Sequence, residues 1–155
     1  MPYRKSYREK PRRRILIIHH TGRMRDNLAD GWRKAGWDVF EAEGRADGLP
    51  LMFQLHPDLI SLEVVAGQEN SWDTLYSIRL LTLTPVVILT DGPPPTSDLI
   101  IENSEVITTS SPISVSKIIS ISKALWKSVC KPPHPMTEQS EAERIVPASQ
   151  RAVED

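Results

Sequence analysis

Arg14-Ile15-Leu16-Ile17-Ile18-His19-His20 holds four consecutive large apolar residues, three of them β-branched, between a basic residue and two imidazoles. Four residues are too few for a helix. Because neighbours on a strand point to opposite faces, an unbroken apolar run describes a strand buried on both sides. Downstream, Met24, Leu28, Trp32 and Ala35 recur at helical spacing, and Gly36 stands where a helix ends in a left-handed turn. Residues 37–42 alternate as a half-buried strand, and residues 46–55 read as a helix with Pro50 near its start. A second apolar run, Leu59-Ile60-Ser61-Leu62, precedes a helix marked by Trp72, Leu75, Tyr76, Ile78 and Arg79. Val86-Val87-Ile88-Leu89 is the clearest buried strand. Pro93-Pro94-Pro95 then leaves room only for a short helix over 97–103, followed by a strand at Val106-Ile107 and a last helix over 113–129.

Five strands alternating with five helices imply an α/β fold, a parallel sheet with helical crossovers on both faces. In such folds ligands bind beyond the carboxyl ends of the strands. Those ends carry His19 and His20, Glu63, Thr90 and Ser111. There is no GxGxxG or P-loop phosphate motif and no GxSxG element, and nothing else in the pattern points to an enzyme.

The 155 residues suit one domain with tails, and an apolar share of 39% with a net charge of -1 places the chain in the ordinary globular class. Residues 1–14 hold seven Lys or Arg against one Glu, so the remainder carries a charge of -7. Residues 1–13 therefore read as a flexible basic arm. No helix-turn-helix or zinc-finger pattern supports nucleic-acid binding through it. Residues 130–155, with four prolines among polar residues, read as a disordered tail, leaving 14–129 as the folded domain. A single cysteine, Cys130, and no apolar run near the ~18 residues of a membrane span lead us to expect a cytoplasmic protein.

Several landmarks share one register: Arg14 to Ile18 followed by two polar residues, Gly36-Trp37-Asp38-Val39, Pro57-Asp58-Leu59-Ile60, Arg79, Thr84-Pro85-Val86-Val87-Ile88-Leu89-Thr90 and Ser111-Pro112. In this order they resemble the receiver domain of two-component response regulators, over roughly residues 14–128. The resemblance implies a flavodoxin-like, doubly wound five-stranded parallel sheet in the order 2-1-3-4-5. It also implies a pocket with two acids after the first strand, a phosphoacceptor Asp after the third, a Thr or Ser after the fourth and a Lys after the fifth. Only Thr90 conforms. His19 and His20 stand for the acids, Glu63 for the phosphoacceptor and Ser111 for the lysine, so the chain resembles a degenerate receiver. Mg2+ prefers oxygen ligands, so its binding is expected to be lost and no cofactor is expected.

Two readings of Glu63 stay open, an imitation of phosphorylated aspartate and a polar strand end facing water. His19, His20 and Glu63 also form a set of two histidines and a carboxylate suited to zinc or iron, although neighbouring strand residues diverge. The expected function is a signalling module acting by protein–protein contact without phosphorylation. The alternative is a conventional phosphorelay regulator. For the contact surface, the apolar arc of the last helix is wider than one sheet can cover. Ile118, Leu125 and Val129 should pack inward, leaving Ile119 and Trp126 exposed for a signalling partner or self-association.

Overall fold

A computed structural model describes residues 12–65, 71–92, 102–109 and 113–129. The elements are β1 (Arg14–Ile18), α1 (Gly22–Lys34), β2 (Asp38–Ala42), α2 (Arg45–Leu55), β3 (Leu59–Val64), α3 (Ser71–Leu81), β4 (Val86–Thr90), β5 (Ser104–Thr108) and α4 (Val115–Val129). The strands form one parallel sheet in the order β2-β1-β3-β4-β5, the arrangement expected. Most of the short helix expected over 97–103, Ser111 and the 130–155 tail lie outside the described residues.

The apolar run of β1 is buried on both sides for the reason its sequence suggests. Ile15 and Ile17 face Leu28, Ala29 and Trp32 of α1 and Ile118 and Ile119 of α4. Leu16 and Ile18 face Met52 of α2 and Leu75 and Ile78 of α3. Two cores thus meet at a central strand flanked by β2 and β3. The strand order reverses there, which places the crevice at the ends of β1 and β3.

Local chemistry fixes the helix ends. Gly36 takes φ +88, while its N–H donates to Arg33 O and that of Trp37 to Trp32 O, a paired-bond stop that satisfies two orphan carbonyls. His56 ends α2 in the left-handed region ahead of Pro57. Pro50 is the sixth residue of α2, one position deeper than in the helix expected over 46–55 and past the first turn, where proline is best tolerated. The helix runs through it, and α2 is seated closely on β1, since a Cβ on Gly48 would lie 2.7 Å from Ile18 Cδ1.

The face of α4 needs correction. Ile119 is only 9% exposed, because Gly31 has no side chain and lets α1 come so close that a Cβ there would lie 2.5 Å from Ile119 Cδ1. Trp126 is half-buried, edge-on to Trp37 at 5.4 Å and covered by the Arg13 guanidinium at 4.7 Å. The pair expected to be exposed is therefore covered. Ser122 sits in the middle of the buried face with its hydroxyl donating to Ile118 O at 2.6 Å, so the inward direction lies between Ile118, Ile119 and Ser122, while Leu125 and Val129 are only partly buried.

The last residues of the basic arm are held against the base of the sheet. Arg12 pairs with Asp38 at 3.7 Å, and the Asp38 N–H donates to Arg13 O. At the same edge Arg79 joins three segments, donating from Nη1 to Thr84 O and from Nη2 to Asn103 O and Ser104 Oγ at 2.7–2.9 Å. Burial lowers its pKa, opposed by the nearby Glu102 carboxylate. Among the described residues no helix is long and apolar enough to cross a membrane.

Candidate functional site

The carboxyl ends of β1, β3 and β4 bring His19, His20, Glu63 and Thr90 to one edge of the sheet, as their strand-end positions imply. Ser111 falls outside the described residues. Beside Glu63 a cavity of about 290 Å³ is lined by Thr21, Met24, Val64, Val65, Leu89, Asp91 and Thr109.

Consecutive histidines part company here. His19 is fully buried, with its N–H donating to Ala42 O and its Nε2 2.9 Å from Ser61 Oγ. Nδ1 is buried and has no hydrogen-bond partner among the described residues. Burial pushes the His19 pKa down from 6.5 to about 4; the Glu63 charge opposes that shift and the Arg25 charge adds to it. The ring is therefore neutral at pH 7. Arg25 also donates from Nη1 to His19 O at 2.9 Å and lies near Glu41 and Glu43, tying α1 to the ends of β1 and β2. His20 is exposed. The two imidazoles and Glu63 thus do not converge as a transition-metal set, and among the described residues no group of three or more His, Cys, Asp or Glu could hold a metal ion.

Glu63 is half-buried rather than a strand end facing water. Its Oε1 accepts three hydrogen bonds, from the N–H groups of His20 and Thr21 at 3.0 Å each and from Thr21 Oγ1 at 3.2 Å. Thr21 stands at the N-cap of α1, yet its hydroxyl does not cap the helix. It turns to Glu63, and the carboxylate lies at the positive end of the helix dipole. One oxygen of β3 thereby fastens the β1–α1 loop. Thr90 is buried and occupied elsewhere: Gly92 N–H donates to its Oγ1 at 3.2 Å, and that hydroxyl lies 3.4 Å from Gly92 O.

Three members of this edge were not among the expected residues: Thr21, Arg25 and Ser61. Ser61 was detectable, since it is the one polar residue inside an apolar run and shares a strand face with Glu63 two positions on. Thr21 and Arg25 carried no such signal, because one acts largely through its backbone amide and the other on a backbone carbonyl.

No protein-family model and no curated protein sequence matches this chain. Solved structures do. A two-component response regulator from Clostridium difficile superposes with a TM-score of 0.64 at 21% identity, covering 76% of this chain and 98% of that one. The chemotaxis protein CheY4 of Vibrio cholerae gives 0.63 at 14% identity over 74% and 98%. The response regulator TrrA of Thermotoga maritima, in complex with Mg2+-BeF, gives 0.60 at 19% identity over 73% and 98%. The chain has the flavodoxin-like fold of response-regulator receiver domains.

Proposed function

We propose that this chain is an atypical receiver module that signals by binding other proteins, with an output not set by aspartyl phosphorylation, and that it is not an enzyme. The observation that carries this reading is the engagement of Glu63. The carboxylate at the phosphoacceptor position spends one oxygen on three donors of the β1–α1 loop, while Thr90 bonds to Gly92. The relative from Thermotoga maritima is in complex with Mg2+-BeF; in this chain two imidazoles replace acids, and neutral, buried His19 is no ligand for a hard cation. Glu63 then acts as a fixed latch between β3 and α1, doing without metal the work of holding that loop.

Calorimetric titration with Mg2+ tests this. The reading expects no saturable heat at millimolar Mg2+, and tight, stoichiometric binding overturns it in favour of a conventional phosphorelay regulator.

A further inference from the structure

Among the described residues the exposed large apolar side chains are Phe53, Tyr76, Leu80, Leu81 and Leu83, so four of the five fall within eight residues at the end of α3. Leu80 is 86% and Leu83 68% exposed, and Tyr76 and Leu81 are close to half exposed. Helical hydrogen bonding continues to Thr82, whose N–H donates to Ile78 O. Tyr76 and Leu80 therefore share one flank of α3 at a spacing of four, with Leu81 on its shoulder and Leu83 in the segment that follows the helix. The only charged residue from Tyr76 to Pro85 is Arg79, and its guanidinium is turned inward onto Thr84, Asn103 and Ser104. The stretch itself thus presents no outward charge, with exposed Asp73 one turn before it and Glu102 beside the clamp, and that clamp holds the α3–β4 corner in place.

We infer that this patch is the centre of a two-fold interface with a second copy of the same chain. Taking ~180 Å² for a fully exposed leucine or tyrosine, the four side chains present about 440 Å² of apolar surface. A standard interface covers about 800 Å² per partner, a little over half of it apolar, or about 450 Å². The patch thus supplies the apolar part of one complete interface. A two-fold contact sets a patch against itself, so a charge at its centre would meet its own kind; Arg79, the one charged residue between Tyr76 and Pro85, is turned away. The surface lies on α3, not on the last helix where the sequence placed it.

Sedimentation velocity of the full chain tests the inference, with a readout independent of metal or phosphoryl chemistry. The wild-type mass should rise from 17.5 kDa toward twice that value between about 5 and 500 µM, a weak dimer's range for an interface of this size. L80K/L83K should stay at the monomer mass throughout with an unchanged melting temperature, since both side chains are exposed. L80S/L83S repeats the test without adding charge, and Phe53→Lys should still associate. The inference is overturned if the wild type is monomeric at every concentration, whether its own termini or another protein then covers the patch. It is equally overturned if both Leu80/Leu83 variants associate as the wild type does, or if Phe53→Lys alone abolishes association.

Discussion

Replacing Glu63 with alanine should loosen the β1–α1 loop and cost about 1–2 kcal/mol of global stability. The carboxylate accepts three hydrogen bonds on one oxygen. Bonds to a charged acceptor contribute about 1.5–3 kcal/mol when shielded and less when water can replace them. His20 and Thr21 are exposed, so water takes up part of the loss and the lower end applies. Glu63→Gln keeps a carbonyl oxygen within reach of the same donors and should lose about half as much. Thr21→Ala removes only the longest bond, worth ~0.5 kcal/mol or less. A Glu63/Thr21 double-mutant cycle should return a coupling of similar size. Urea unfolding supplies the global values, and amide exchange at His20 and Thr21 supplies the local one: both amides should exchange faster in Glu63→Ala, with β4 unaffected. If Glu63→Ala unfolds within ~0.3 kcal/mol of the wild type and those amides exchange at unchanged rates, the latch does not exist in solution.

The His19 pKa falls on folding, so between about pH 6.5 and 4 the unfolded chain binds a proton that the folded chain refuses, and stability is lost as pH is lowered through that window, by up to about 1.4 kcal/mol per unit. Urea midpoints of the wild type should drop more steeply from pH 7 to pH 5 than those of His19→Gln; parallel curves would show that His19 is accessible to protons. Arg79→Met takes the guanidinium donor from the Thr84 carbonyl, while Asn103 O keeps the Val86 N–H, and should cost about 1–3 kcal/mol. Arg79→Lys should recover only part of that because it lacks the planar fork, and full recovery in thermal melts would show that charge alone matters.

The strands were legible because a sheet buried on both faces writes itself as unbroken apolar runs, as in Ile15 to Ile18 and Val86 to Leu89. Gly36 was legible because few residues tolerate its backbone conformation. The strand order came from the resemblance, since no local pattern states which strands are neighbours. The inward face of α4 was misread at Ser122, a polar residue that satisfies its hydroxyl on its own helix, and at Gly31, whose missing side chain makes room for Ile119 from another helix. At the candidate site the residue types at the strand ends were readable, but their partners were not. Glu63 is held largely by backbone N–H groups, which every non-proline residue carries, and the opposite fates of His19 and His20 follow from which of them reaches Ser61.

If the proposed output needs no aspartyl phosphate, the chain should refuse a phosphoryl group from a small-molecule donor. The full chain is incubated with acetyl phosphate and Mg2+ beside a phosphorylatable receiver, and intact mass is measured before the acyl phosphate can hydrolyse. The control should gain a phosphoryl adduct and this chain none; a Mg2+-dependent adduct of one phosphoryl group on this chain, lost in Glu63→Ala, would overturn the proposed function.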